Sequence, residues 1–370
     1  MASHIDSPDE GPPLGYLRIP DMLADWPWQR KINPLYQEVA TESDAWLQSF
    51  LPFNPKSQHA FETIKCGLVA GLLYPDVSRD QLRTCADLQN IFFLIDEYTD
   101  VEAAPMVCEM IGACIDALHN RSKPRPHGEV ILGEVVRQFW ERGQRTVPHQ
   151  TGKPFVASFT DYLHSVRAER EACDSGGVLT TDAYLAIRQD NIGVPTLSVL
   201  GGLFLLVPDH MYDNPLLTRM TRLVSEIIII DNDIVSYNRE QATGVGDFNI
   251  VTTTMHHHNL NLNDAVRSLV ERNAQLDAQY LQFHREFCSI LERHGDADEA
   301  SRIRRYLAHM GNLRRAHWCW SFECGRYFGE RGSTYAKTQM VPLIPKDIRD
   351  KSLRGNQIDI LLMEEELAKL

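Results

Sequence analysis

Apolar residues recur about every 3.6 positions along most of the chain, which is the spacing of helices that bury one face. The strict alternation of a half-buried strand is almost absent, and only the short string NIVTTTM at 249–255 favours a strand. The pattern therefore predicts an all-α fold of about a dozen helices in one domain. The predicted helices cover residues 36–53, 61–74, 78–100, 101–119, 129–147, 153–176, 182–191, 196–207, 216–242, 247–258, 261–294, 296–312 and 314–330.

Composition changes at both ends of this helical region. Residues 1–17 are polar and rich in proline, glycine and aspartate, which predicts a disordered segment. Residues 18–335 form the predicted helical domain, and 336–370 form an extension that begins polar and proline-bearing. Its last stretch, NQIDILLMEEELAKL, has the pattern of a short amphipathic helix that would pack on the domain or on another subunit.

The overall charge argues against nucleic acid as a partner, because the formal net charge is −13 and the pI is near 5.5. The longest apolar runs, such as LSVLGGLFLLV at 197–207, are too short to span a membrane. None of the eight cysteines forms a CxxC pair, and no cationic and apolar leader precedes the domain. We therefore expect free thiols and a cytoplasmic location.

The first stretch with chemical potential is DEYTD at 96–100, which follows five consecutive apolar residues, 91–95. At about 100° per residue, Asp96 and Asp100 lie one turn apart on one face of the predicted helix. The apolar run predicts a helix that is buried on all sides. Unpaired carboxylates are costly inside a protein, so these charges should point into a polar cavity.

The second stretch is NDIVSYNRE at 232–240, which follows closely on four isoleucines at 227–230. Asn232, Ser236 and Glu240 are spaced by four, so an amide oxygen, a hydroxyl and a carboxylate share one side of the helix. Arg239 adds a donor for phosphate oxygens. Such oxygen-only groups suit Mg²⁺ bound together with a phosphorylated substrate. Two such groups across an apolar cavity would hold a diphosphate at its mouth and a hydrocarbon inside.

With both motifs in place, the chain resembles a class I terpene cyclase, specifically the fungal (basidiomycete-type) sesquiterpene synthases. DEYTD is similar to that family's aspartate-rich motif, and Asn232, Ser236 and Glu240 match its NSE triad. Other matching elements are RKINP at 30–34, RQFWER at 137–142, RQDNIGVP at 188–195, YNREQATGVGDFNIV at 237–251 and WSFECGRYFG at 320–329. The resemblance spans about residues 18–330 and implies one helical bundle with a central active-site cavity.

The resemblance also implies a site for three Mg²⁺ ions. Asp96 would bridge two of them, while Asn232, Ser236 and Glu240 would hold the third. Asp100 would bind metal directly or pair with an arginine. Glu97 is expected to support these groups rather than bind a metal itself.

The diphosphate-binding residues implied by the resemblance are Arg188, Arg239, Arg326 and Tyr327. Together with the metal ions they would neutralise the leaving diphosphate and trigger cleavage of the allylic C–O bond. Arg188, Arg326 and Tyr327 are therefore the predicted catalytic residues, with Arg188 as the diphosphate-sensing arginine.

Aromatic side chains would stabilise the carbocation, by about 0.5–2 kcal/mol for each ring face. Phe93 lies one turn before Asp96, and Phe92 and Trp320 are further candidates. The helix break at Asn191, Ile192 and Gly193 would aim a backbone carbonyl at the cation. Related fungal enzymes often have Thr at position 191 and bacterial ones Asp, so the linker role of Asn191 stays open beside a purely proline-driven kink.

The predicted function is a Mg²⁺-dependent sesquiterpene synthase that cyclises farnesyl diphosphate and releases diphosphate. Initial 1,11-ring closure would give humulyl-derived products of the protoilludene type. The alternatives are a prenyl diphosphate synthase, a cyclase acting on geranylgeranyl diphosphate, and a non-catalytic helical isoprenoid-binding protein. A prenyl diphosphate synthase would need a second aspartate-rich motif where this chain has the triad. The expected partner is a small isoprenoid diphosphate, and the resemblance leaves a homodimer open.

Several conspicuous residues have ordinary explanations. The triplet 256–258 of histidines lies in a polar stretch and is predicted to be at the surface. The arginine pairs at 304–305 and 314–315 are predicted to be solvated or to form salt bridges, and His317 is predicted to be structural.

Overall fold

The computed structural model describes residues 15–147, 152–293, 295–347 and 357–370, and these parts are dominated by α-helices. The helices are α1 Tyr36–Gln48, α2 Pro55–Glu62, α3 Cys66–Leu73, α4 Arg79–Thr99, α5 Ala104–His119, α6 Ile131–Gly143, α7 Gly152–Ser175, α8 Thr181–Asn191, α9 Val194–Phe204, α10 Pro215–Thr243, α11 Ile250–His258, α12 Leu262–Leu291, α13 Ala297–Glu323, α14 Gly332–Thr338 and α15 Met363–Ala368. Two short strands, β1 Tyr16–Arg18 and β2 Met340–Pro342, pair antiparallel. The predicted all-α class is confirmed.

Helices α3, α4, α7, α8, α9, α10 and α13 surround a central cavity, to which each contributes side chains. Helix α10 packs against α8, α9, α12 and α13, so it lies at the centre of the bundle. Its four isoleucines at 227–230 are at most 2% exposed, which accounts for the apolar run before the second motif. Among the described helices, none is long and apolar enough to cross a membrane.

The helices that carry the two acidic motifs have well-defined starts. Ser78 caps α4 in a reciprocal capping box with Gln81. Asn214 caps α10, and Pro215 occupies its first turn, where a missing N–H is harmless. Helix α10 ends at Gly244, whose φ of +79° is a left-handed conformation that glycine adopts readily. Local sequence therefore sets where both motifs lie along their helices.

Some predicted helix boundaries are wrong, whereas the helix predicted over 247–258 is confirmed as α11. Residues 61–74 are not one helix, because α2 ends at Glu62 and α3 begins at Cys66 after Lys65, which adopts φ +56°. The helices predicted over 296–312 and 314–330 are a single helix, α13, which ends at Glu323. The string NIVTTTM belongs to helix α11, where the Asn249 side chain accepts from the backbone N–H of Val251.

The ends of the described chain pack on the helical domain. Tyr16 and Leu17 fall within the predicted disordered segment, yet they belong to β1, and fully buried Leu17 pairs with Val341. The boundary at residue 17 is therefore wrong for these two residues, because strand pairing and burial order them. Residues 1–14 of that segment lie outside the described residues. In the predicted extension 336–370, α15 buries Met363 and Leu367 against the domain.

Candidate active site

The central cavity has an apolar lining and a polar lining. The apolar and aromatic lining residues are Val69, Leu73, Phe92, Phe93, Tyr162, Val166, Ile192, Val194, Leu197, Ile228, Leu313 and Trp320. The polar and charged ones are Gln89, Asp96, Thr99, Glu169, Arg188, Asn191, Asn232, Arg239, Glu240, His317, Arg326 and Tyr327. Most predicted site residues are thus brought together in one cavity. The exceptions are Asp100, Ser236 and Gly193, which do not belong to its lining.

Two buried arginines form ion pairs with the DEYTD motif, in which Glu97 is buried and Asp96 is partly exposed. Arg326 donates from Nη2 to Asp96 Oδ2 at 2.6 Å and from Nη1 to Glu97 Oε1 at 2.8 Å. Arg239 donates from Nη2 to the same Glu97 oxygen at 2.7 Å. Glu97 therefore links the arginine of α10 to the one that follows α13, and this arrangement matches the supporting role predicted for it.

A third arginine, Arg188, contacts the second acidic motif, NDIVSYNRE. Its Nη2 donates to Asn232 Oδ1 at 2.8 Å and lies 3.3 Å from Asp233 Oδ1. Its Nη1 donates to the amide oxygen of Asn191. Arg188 thereby connects the end of α8 with the start of the triad on α10.

The three triad residues differ in their surroundings. Asn232 donates from Nδ2 to the Tyr327 hydroxyl at 3.3 Å. Ser236 is only 2% exposed. Glu240 Oε2 accepts from Asn249 Nδ2 at 2.8 Å. Burial, followed by the nearby Asp233 charge, raises the pKa of Glu240 above its ordinary value. A bound cation would offset that cost, since it favours the ionised carboxylate.

Asp100 lines a second cavity that adjoins the first. The two cavities share Thr99, Val166 and Glu169, and the second also contains Asp100 and Asp247. Burial raises the pKa of Asp100 well above its ordinary value, and the charges of Asp96, Glu97 and Glu169 add to this. Among the described residues, no salt bridge joins Asp100 to an arginine. The Arg239 charge acts in the opposite direction on this pKa. Both roles given for Asp100, metal binding and pairing with an arginine, stay predictions.

The donor set fits a divalent cation. Carboxylate and amide oxygens of Asp96, Asn232 and Glu240 reach the cavity from α4 and α10, and these are oxygen ligands that suit Mg²⁺. Within the described residues, no group of three His, Cys, Asp or Glu side chains forms a metal site by itself. The amide and hydroxyl of the triad, and oxygens from a substrate, would therefore complete the coordination.

The aromatic residues of the lining form two groups of packed rings, which together are called the aromatic wall. The rings of Phe93 and Trp320 lie 5.4 Å apart, and those of Trp320 and Tyr327 lie 5.6 Å apart. Phe92 packs on Tyr162 at 4.5 Å. The Trp320 indole N–H donates to the carbonyl of Ile64 at 2.7 Å, which fixes its ring. All of these rings line the cavity, and the Trp320 indole N–H is not left unpaired there.

Comparison with known proteins identifies the family. Residues 87–276 match the model of terpene synthase family 2, C-terminal metal binding. Sesquiterpene synthase 14 of Postia placenta is 40% identical over 94% of this chain and 97% of its own length. Delta(6)-protoilludene synthase 8 of the same fungus is 41% identical, over 93% and 99% respectively.

The chain belongs to the terpene synthase family. A Delta(6)-protoilludene synthase of Stereum hirsutum is 38% identical over 88% of each chain. Among solved structures, hedycaryol synthase in complex with nerolidol aligns with a TM-score of 0.69 at 20% identity, over 82% of this chain and 99% of that one. The linalool/nerolidol synthase of Streptomyces clavuligerus gives 0.66 at 19%, over 80% and 98%. The predicted family, fold and enzyme class are confirmed, and the family description supports the use of metal.

The cavity lining of this terpene synthase also includes Tyr162 and Glu169, which sequence reasoning missed. Glu169 accepts from Asn191 Nδ2 at 2.6 Å. Tyr162 and Glu169 are seven residues apart on α7, so they lie on one face, and that spacing was an available signal. His317 also belongs to the lining, where its Nε2 lies 3.2 Å from Asn232 Nδ2, and its structural role stays a prediction. It precedes Trp320 by three residues, which places both on one face of α13.

Two roles were predicted for Arg314 of the terpene synthase, a solvated surface position and a salt bridge. The surface position is wrong because the side chain is buried, and the salt bridge is confirmed. Its side chain is fully buried and pairs with Asp231 at 2.7 Å and with Asp277 at 2.6 Å. The guanidinium also lies 4.8 Å from the Trp26 ring. Since Asp231 precedes Asn232, this pair ties α13 to α10 beside the triad.

Proposed function

We propose that this terpene synthase is a Mg²⁺-dependent sesquiterpene synthase that ionises and cyclises farnesyl diphosphate with release of diphosphate. One observation carries the proposal. A single cavity combines aromatic side chains with Asp96, with Asn232 and Glu240 of the triad, and with three arginines and a tyrosine. The names of the relatives in Postia placenta and Stereum hirsutum, sesquiterpene synthase and Delta(6)-protoilludene synthase, support the same substrate class.

Binding would begin at the charged lining. Asp96, Asp100, Asn232, Ser236 and Glu240 would hold three Mg²⁺ ions, which neutralise diphosphate charge and weaken the allylic C–O bond when bound. The residues predicted to bind the diphosphate oxygens are Arg188, Arg239, Arg326 and Tyr327. Because these donors already bind carboxylates and amides of the same site, they are positioned to donate to the oxygens of the incoming anion as well.

The apolar lining would protect and fold the cation. Phe92, Phe93 and Trp320 would stabilise positive charge through their ring faces. Helix α8 ends at Asn191, and Gly193 turns the chain with a φ of +76° into α9. The end of α8 exposes carbonyl oxygens, the negative end of its dipole, so the break at 191–193 would face the cation with partial negative charge.

The product is proposed from the relatives and the motifs together. Two of the relatives, which are 41% and 38% identical to this chain, are named Delta(6)-protoilludene synthases. Initial 1,11-ring closure to a humulyl cation, followed by further closure and deprotonation, would lead to a product of that type. A homodimer and a cytoplasmic location stay predictions of the sequence.

Incubation with geranyl, farnesyl and geranylgeranyl diphosphates in separate Mg²⁺-containing reactions tests the proposal. We expect a cyclic sesquiterpene from farnesyl diphosphate, seen by gas chromatography with mass spectrometry, and loss of product when EDTA removes the metal. A longer prenyl diphosphate formed on addition of isopentenyl diphosphate would instead identify a prenyl diphosphate synthase. Cyclisation only of geranylgeranyl diphosphate would identify a diterpene cyclase, and binding without turnover a carrier protein.

A further inference from the structure

Asn191 lies between two charged side chains from different helices. Its amide oxygen accepts from Arg188 Nη1, and its Nδ2 donates to Glu169 Oε2 at 2.6 Å. An arginine only donates hydrogen bonds, so the amide oxygen must face Arg188 and the NH₂ group must face the carboxylate. The contacts therefore fix the orientation of the amide and connect α7 to the end of α8.

A neutral amide at this position cannot supply negative charge to Arg188. An aspartate at 191 would place a negative charge directly beside Arg188. Asparagine instead accepts from Arg188 and donates, through its NH₂ group, to a further acceptor. In this chain that acceptor is Glu169, which lies in the lining of both adjoining cavities. The carboxylate of Glu169 is thus connected to the Arg188 guanidinium through the Asn191 amide, whereas an aspartate at 191 would contact the guanidinium directly.

We propose that Glu169 is a positioning residue that acts through Asn191 to hold Arg188 towards the diphosphate. The relay Glu169–Asn191–Arg188 continues to the triad, because Arg188 Nη2 donates to Asn232 Oδ1 at 2.8 Å. Changes at Glu169 would therefore alter the direction of the arginine that is predicted to sense the diphosphate. This inference rests on the proposed function and adds a residue to its site.

Two other roles for Glu169 make different predictions. As a metal ligand, it would be needed for Mg²⁺ affinity, and a carboxylate at position 191 would not replace it. As a purely structural residue, its loss would lower stability without a specific effect on diphosphate binding. Only the relay predicts that charge lost at 169 is recovered by charge placed at 191.

The test is a double-mutant cycle of Glu169→Gln, Asn191→Asp and the combined variant. Glu169→Gln should lower kcat about ten-fold, as expected for a weakened hydrogen bond to a charged group, with Mg²⁺ half-saturation within about two-fold of wild type. Asn191→Asp alone brings two carboxylates together and should also be impaired. The combined variant restores one charge beside Arg188 and should be more active than either single variant.

Glu171→Gln is the matched control, because Glu171 lies on the same helix with 53% of its side chain exposed. It should keep the kcat of wild type. A combined variant no more active than Glu169→Gln would overturn the relay. So would a Glu169→Gln variant whose main defect is a raised Mg²⁺ requirement, since that identifies a metal ligand.

A measurement without turnover separates this inference from the proposed function. Calorimetric titration of inorganic diphosphate in the presence of Mg²⁺ should show about ten-fold weaker binding to Glu169→Gln and recovery in the combined variant. If wild type fails to convert farnesyl diphosphate, the proposed function fails, while this titration still decides the relay. Equal diphosphate affinity in all four proteins would overturn it.

Discussion

Arg326 Nη2 lies 2.6 Å from Asp96 Oδ2, and the two side chains differ sharply in exposure. The arginine is 6% exposed and also holds buried Glu97, whereas the aspartate is 46% exposed. The pair therefore joins an anchored cation to a carboxylate that still has access to solvent and to ligands. This geometry suits an aspartate that has to bind metal while the arginine beside it binds the diphosphate.

Asp96→Asn should lower the rate of cyclisation at least about a hundred-fold, because it removes a charged metal ligand where the reaction needs electrostatic stabilisation. Gas-chromatographic product analysis at saturating Mg²⁺ checks the rate, and circular dichroism checks the fold. Asp80→Asn is the control, since Asp80 lies at the other end of α4 with 83% of its side chain exposed. Near-normal turnover by Asp96→Asn would contradict the metal assignment.

Glu240→Gln should raise the Mg²⁺ concentration needed for half-maximal activity at least about ten-fold, because amide oxygen is a weaker ligand than carboxylate for this hard cation. Glutamine keeps the acceptor for Asn249 Nδ2, so the loop after α10 should stay in place. Activity measured across a Mg²⁺ series gives the answer. A variant with lower kcat but an unchanged Mg²⁺ curve would remove Glu240 from the ligand set.

Phe93→Leu should change the product mixture more than the Mg²⁺ requirement. Phe93 contacts Trp320 and also lies under the Arg326 guanidinium at 4.8 Å, so it is placed where the hydrocarbon meets the charged lining. Leucine keeps the apolar volume but removes the ring face that would stabilise a cation. Mass spectra of the products decide the matter, and an identical product profile would assign Phe93 to ordinary packing.

Helical periodicity explains why much of this site was predictable from sequence. Asp96 and Phe93 are three residues apart, and Asn232 and Glu240 are eight apart, so each pair shares a face and enters the cavity. Ser236 has the right spacing, but it does not belong to the lining. Asp100 follows the end of α4 at Thr99 and lines the adjoining cavity instead.

Long-range partners were the part that sequence could not supply. Glu169 is 22 residues from Asn191, and no local pattern joins them. Arg314 looked like a surface charge because its partners come from other helices, Asp231 at a separation of 83 residues and Asp277 at 37. Burial of a charge is set by what the fold brings next to it, and a single helix pattern does not record that.

Arg314→Met should lower the free energy of unfolding by about 3–5 kcal/mol, since it leaves Asp231 buried without its cation. Urea denaturation followed by circular dichroism measures this. Arg304→Met is the control, because Arg304 is exposed on the same helix. Combining Arg314→Met with Asp231→Asn should recover part of the loss. An unchanged denaturation midpoint for the single variant would show that the ion pair is dispensable.

Glu169→Gln should change how stability depends on pH. Burial raises the pKa of Glu169 from 4.5 to about 7, although the Arg188 charge opposes this shift. The folded protein therefore holds this proton more tightly than the unfolded chain does. The resulting contribution of Glu169 to the free energy of unfolding is complete below about pH 4.5 and is lost as pH rises through about 7.

Glutamine cannot ionise, so without added metal or substrate the variant should have the same free energy of unfolding as wild type near pH 4. At pH 8 the free energy of unfolding of the variant should exceed that of wild type by about 1–3 kcal/mol. One pKa unit corresponds to about 1.4 kcal/mol, and partial exposure of the side chain reduces the full value. Parallel denaturation curves at both pH values test this, with Glu171→Gln as the control because its carboxylate is at the surface. A constant difference between Glu169→Gln and wild type across this range would show that Glu169 does not titrate with a raised pKa.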